Sequence, residues 1–131
     1  MSGSDDASQS LTGVWHGLYS YPVAWMPPAH FTATMIDSGG VLSGTTHEET
    51  GRGVMRALVE GSLEGGVVRF VKVYSPASEE FQDVIYTGTL SADRTEIEGE
   101  WTVPDVWSGT FLMIRTRGKA QVQERRVELS V

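Results

Sequence analysis

Apolar and polar residues alternate with a period of two along most of this chain, in short runs broken every ten to fifteen residues by Gly, Ser and Asp. Helical periodicity is almost absent, so the pattern predicts an all-β domain. About eight strands follow, over residues 11–21, 30–37, 41–48, 54–62, 66–74, 81–90, 95–103 and 108–116. Asp37-Ser38-Gly39-Gly40, Leu63-Glu64-Gly65-Gly66 and Ser91-Ala92-Asp93-Arg94 read as tight hairpin turns, because small residues reach the unusual backbone angles such turns require. The other links, Pro22 to Ala29, Glu49 to Gly53, Ser75 to Glu80 and Pro104 to Trp107, are mostly longer. In an up-and-down meander every second connection lies at the same end, so one end is tightly closed and the other carries the long loops, where function is expected.

Following the alternation strand by strand gives one face rich in glycine and aromatics. It carries Trp15, Gly17, Tyr19 and Tyr21, then Phe31, Ala33 and Met35, then Leu42, Gly44 and Thr46. It continues through Ala57 and Val59, Val68, Phe70, Lys72 and Tyr74, then Gln82, Val84 and Tyr86, and ends with Ile97, Trp101, Phe111, Met113 and Arg115. This is the interior of an eight-stranded antiparallel up-and-down β-barrel, with glycines relieving crowding and rings filling the lumen. With Glu64-Gly65 as the centre of the second hairpin, Glu60 pairs with Arg69 and Val59 with Phe70. Opposite charges then share one face and apolar groups the other.

The 131 residues suffice for one domain with one core: an N-terminal arm over 1–10, the barrel over 11–116, and a tail or extra edge strand over 117–131. A net charge of -7, with no offsetting Lys/Arg cluster, argues against nucleic acid and against anionic membranes as partners. Without cysteine there is no disulfide framework, thiolate metal site or cysteine nucleophile. The first ten residues are small, polar and acidic, unlike a secretory signal, and no run is long enough to span a bilayer as a helix; a cytoplasmic location is the expectation. No phosphate loop, nucleophile elbow or zinc motif occurs, so no metal or cofactor is expected.

Trp15 on the first strand and Arg115 on the last share the inward face and the closed end, where a guanidinium can stack on an indole and join the barrel's two edges. Gly13-Val14-Trp15 with Arg115 resembles the signature of the calycin barrels, which include lipocalins, fatty-acid-binding proteins and avidins. The likeness to the avidin and streptavidin branch also takes in Leu11-Thr12-Gly13-Val14-Trp15, Leu42-Ser43-Gly44-Thr45, Ile97-Glu98-Gly99-Glu100-Trp101 and Trp107. That resemblance implies a closed barrel but not a biotin site. Gly17 and Tyr21 stand where avidins place an Asn and a Ser, Thr46 and Glu48 replace a Tyr and a Ser, Tyr86 replaces a Trp, and Arg115 replaces the Asp that binds the ureido group. Only Trp101 and Trp107 match the aromatic wall, and losing buried hydrogen-bond partners removes recognition.

Strand direction places Tyr19, Tyr21, Thr46, Lys72, Tyr74, Gln82 and Trp101 near the open mouth, with Tyr86 at mid-depth. Lys72, between Phe70 and Tyr74 on an inward face, must reach water, pair, or meet a ligand. One reading pairs it with inward-facing Glu48 or leaves its ammonium in solvent; the other makes it an anchor for an anion. The tyrosines could orient a polar ligand group or simply pack. Trp25 and Met26 in the Pro22 to Pro28 loop are candidate lid residues, or loop anchors. His16, His47 and His30 lack paired metal-ligand spacing, and Glu96, Glu98 and Glu100 form an outward row.

Two outward patches, Leu58, Val71, Val73 and Ile85, and Val14, Leu18, Leu112 and Ile114, imply a homodimer or higher oligomer unless the tail covers one of them. The leading expectation is a non-catalytic barrel binding a small, partly apolar molecule with a polar or anionic head through Tyr19, Tyr21, Thr46, Lys72, Tyr74, Gln82, Tyr86 and Trp101. Two alternatives stand beside it. One is a cavity enzyme of isomerase, cyclase or decarboxylase type using Tyr/Glu acid-base groups and Lys72; the other is a protein-interaction module.

Overall fold

A computed structural model of the chain describes residues 10–50, 53–75, 82–115 and 125. Eight strands, β1 (Gly13–Ser20), β2 (Ala29–Ser38), β3 (Val41–Thr50), β4 (Gly53–Glu64), β5 (Val67–Ser75), β6 (Val84–Leu90), β7 (Glu96–Val103) and β8 (Trp107–Arg115), pair in chain order. Every pairing is antiparallel, and β8 returns to β1 to close an up-and-down barrel. Among the described residues no helix is long and apolar enough to cross a membrane.

The alternation in the sequence is the alternation in burial. Trp15, Phe31, Ala33, Met35, Leu42, Val59, Val68, Phe70, Tyr86, Ile97, Phe111 and Met113 form one buried cluster inside the barrel. Burying each such side chain contributes about 1.5–3 kcal/mol. Gly17 sits opposite Phe31 on β2, and a Cβ there would run into the Phe31 ring. The glycine thus lets that ring lie across β1 toward the mouth.

The second hairpin differs from the predicted register. Glu64 pairs with Val67, Gly61 with Phe70 and Ser62 with Arg69, because the turn is the two residues Gly65 (φ 58°) and Gly66 (φ 80°). Both take the left-handed angles of a type I′ turn, which matches the twist of the flanking strands. The shift is two residues, so every side chain keeps its face, but Glu60 meets Val71 rather than Arg69. Gly39 and Gly40 repeat the device between β2 and β3. The β6–β7 turn is longer than the predicted four residues: Arg94 is left-handed, and the Asp93 carboxylate accepts from the Ser91 hydroxyl and from Thr95. Those hydrogen bonds, Ser91 first, hold its carboxyl below the usual range.

Two predicted long links are short. Thr50 pairs directly with Gly53, leaving residues 51–52, outside the described set, to connect β3 and β4. Val103 pairs with Trp107, with Val106 N–H donating to Val103 O across a tight turn. Among the described residues the longest connection at the mouth is therefore the 21–28 loop.

The outward patches are corrected as well. Leu58 and Val73 are exposed cross-strand partners, but Leu18, Leu112 and Ile114 are buried as a small cluster of their own. On the same side, Glu96, opposite Ile114, binds the Arg125 guanidinium through both carboxylate oxygens at 3.0 Å. Glu96 is thus paired rather than part of a purely solvated row. The rest of the tail, 116–124 and 126–131, lies outside the described residues, as does the arm over 1–9.

Candidate functional site

The closed end is packed by Trp15 and Leu11, both fully buried. Trp15 and Arg115 are cross-strand partners, with the guanidinium carbon 4.7 Å from the indole centroid. Arg115 also donates to Ser10 O at 2.8 Å, and Trp15 Nε1 donates to Leu11 O at 2.9 Å. Leu11, wholly buried, plugs the floor, its N–H bonded to Asp37 Oδ2. The two residues expected to join first and last strands do so.

At the other end, register brings the polar residues together. Val59 on β4 faces Lys72 on β5 and Ala57 faces Tyr74, while Glu48 lies on the inward face of β3 next to Met55. Lys72 is 1 % exposed and Glu48 7 %, and their charged groups are 3.6 Å apart. The carboxylate is shared: Tyr19 OH donates to Glu48 Oε2 at 2.8 Å and Tyr74 OH to Glu48 Oε1 at 3.1 Å.

Four rings surround the ammonium. Lys72 Nζ is 4.9 Å from the Tyr74 centroid, 5.0 Å from Tyr19, 5.3 Å from Tyr86 and 5.4 Å from Phe31. A desolvated cation gains from each π-face it meets, and one carboxylate cancels its charge. The enclosure therefore repays desolvation that an isolated buried lysine could not.

This arrangement keeps the phenols protonated. Burial, reinforced by the Glu48 charge, drives the Tyr19 hydroxyl far above its ordinary range. Tyr74 is pushed up to about 12, chiefly by burial and against the opposing pull of Lys72. Tyr86 rises through burial. Tyr19 and Tyr74 thus act as fixed hydrogen-bond donors to Glu48 at neutral pH.

Above the cluster lies a cavity of about 350 Å³, lined by Tyr19, Tyr21, Lys72, Tyr74, Gln82, Val84, Tyr86, Trp101, Val103, Val106 and Trp107. Tyr21 packs against Trp107 at 5.2 Å and edge-on against Trp101 at 5.9 Å. The Trp101 indole is held by Ser20 O at 2.9 Å. The wall is thus aromatic and braced, with hydroxyl, amide and ammonium groups toward the floor and rim.

Of the predicted mouth residues, Tyr19, Tyr21, Lys72, Tyr74, Tyr86 and Trp101 converge on this cavity. Gln82 lines it from a different place: it precedes β6 and is exposed rather than inward on a strand. Thr46 is buried deeper, between Ala33 and Ala57, and is not part of the lining. Trp25 is 80 % exposed, so it stands out from the mouth instead of covering it; Met26 lines a separate recess.

Sequence reasoning placed Glu48 opposite Lys72 but missed that it also gathers two tyrosines. The signal was present, since several inward donors at one height require a buried acceptor. Val103 and Val106 were missed because their place in the lining depends on how the β7–β8 turn closes. No family model, curated protein or solved structure matches this chain, so the geometry alone carries the functional reading.

Proposed function

We propose that the barrel binds a small, partly apolar molecule through its open end. The observation that carries this reading is the 350 Å³ aromatic cavity seated on a buried Lys–Glu–Tyr cluster, since pockets that combine apolar walls with a few converging polar groups are the usual form of a ligand site. The rings stack on the apolar body, and Tyr21, Tyr74 and Gln82 meet a polar head. A neutral polar head fits best: Glu48 already holds Lys72, so an anionic head would have to displace that carboxylate.

The enzyme alternative is less well supported. Acid-base catalysis works best with groups that titrate near the operating pH, and the raised tyrosines stay protonated. Self-association is a second proposal, independent of the first, and rests on the exposed Leu58–Val73 pair with neighbouring Val71 and Ile85 on β4–β6.

The ligand reading is tested with N-phenyl-1-naphthylamine, a neutral, partly apolar fluorophore, titrated into the full chain and into Val103→Trp, which fills the cavity. Saturable binding to the parent that is lost in the folded variant supports the proposal. Equal binding to both, or none to the parent, overturns it. Native mass spectrometry of freshly purified protein provides a direct search for a copurified ligand.

A further inference from the structure

A second, larger recess of about 690 Å³ opens on the flank of the mouth, beside the 21–28 loop. All three histidines of the chain line it. Strand pairing gathers them: His16 on β1 faces Thr32, Thr32 faces His47 on β3, and His30 lies two positions along β2. Met26, Pro27 and Pro28 of the 21–28 loop line the recess with them.

Charge decides what this recess can take. Its lining holds two carboxylates, Glu48 and Glu49, and among the described residues neither lysine nor arginine; Arg56, opposite His47, is outside the lining. Glu48 is engaged with Lys72 and two tyrosines. Glu49 is exposed at the rim, and its cross-strand partner on β4 is Val54 rather than a cation. Neutral imidazoles can accept as well as donate, and ring faces attract cations. The described residues include no group of His, Asp and Glu set to hold a metal ion, so an organic cation suits the recess better than an inorganic one.

We infer that this recess is a second binding site, separate from the mouth cavity, for a small aromatic ammonium compound whose charged group is anchored by Glu49. The aromatic body packs against Pro27 and Pro28, and the ammonium meets Glu49 beside the imidazoles of His16 and His47. Tyr19 and Tyr21 form the partition between the two sites, since they line both.

Because every histidine of the chain lies in this recess, histidine side-chain NMR reports on it alone, while the Trp101 and Trp107 indoles report on the mouth. The test uses full-length protein and three probes that differ only at the head: 2-phenylethylammonium, 2-phenylethanol and 3-phenylpropanoate. The expected result is a saturable shift of the histidine resonances with the ammonium probe only, the Trp101 and Trp107 signals staying in place. Glu49→Gln, an exposed change that leaves the fold intact, weakens that binding about fivefold, as for a solvent-accessible ion pair. No histidine response at millimolar probe overturns the inference, as does an equal response to the alcohol, a response confined to the tryptophans, or unchanged affinity in Glu49→Gln. The mouth reading stands or falls on a different probe and on Val103→Trp, so failure of either site is distinguishable.

Discussion

Replacing Glu48 by Gln removes one negative charge from a site where both ionic partners are more than nine-tenths buried. At 3.6 Å and an effective dielectric near 20, the lost attraction is about 4–5 kcal/mol. The amide still accepts a hydrogen bond from one of the two tyrosines, and the four rings still face the ammonium. The net cost should therefore fall near the roughly 3–5 kcal/mol of a broken buried pair. For a domain of this size that lowers Tm by on the order of 10 °C. Lys72→Met leaves the carboxylate buried with two phenol donors and should cost a similar amount. The double variant removes both charges and should cost far less than the sum of the singles, because a buried ion pair can be replaced by apolar groups with little net loss. Urea unfolding followed by tryptophan fluorescence measures all three, with an unchanged denaturant slope as the control for two-state behaviour. Singles costing under about 1 kcal/mol, or a double variant equal to their sum, would refute the reasoning and leave Lys72 held by the rings alone.

Alkaline pH supplies an independent check. Tyr19, Tyr74 and Tyr86 have raised folded values against an ordinary 10.0, so their contribution is intact below pH 10 and is lost as pH rises, since the unfolded chain then binds fewer protons. Stability should fall between pH 10 and about 12, the Tyr74 value, by about 4 kcal/mol per pH unit for three such groups. Phenolate absorbance for these tyrosines should appear only with unfolding; titration within a folded barrel would contradict the burial argument. Gly17→Ala drives a methyl into the Phe31 ring and should cost about 1–3 kcal/mol, read as a lower Tm; a neutral result would mean the ring has somewhere else to go. Leu58→Glu places a charge on the exposed β4–β6 face and should convert an oligomer to a monomer in light scattering, whereas a monomeric parent would remove that proposal.

The sequence by itself determined which residues face inward. A period of two is a property of the extended backbone, so it survives errors in turn placement: the second hairpin slips by two residues and every side chain still keeps its face. It also put Trp15 against Arg115, because a closed meander must join its first strand to its last. Tertiary structure decided the rest. Whether the links near Glu49 and Pro104 are long or short depends on how far pairing propagates into each turn, which the alternation does not encode. Whether Leu18, Leu112 and Ile114 are a surface patch depends on what lies over them, which no local pattern records. The conversion of Lys72 from a lone inward cation into the centre of four rings and a shared carboxylate needed the relative heights of five strands, β1 to β6 excepting β4. Those heights follow from barrel shear and cross-strand register. They are set by packing across the lumen between residues far apart in the chain, so they become legible only once the barrel is closed.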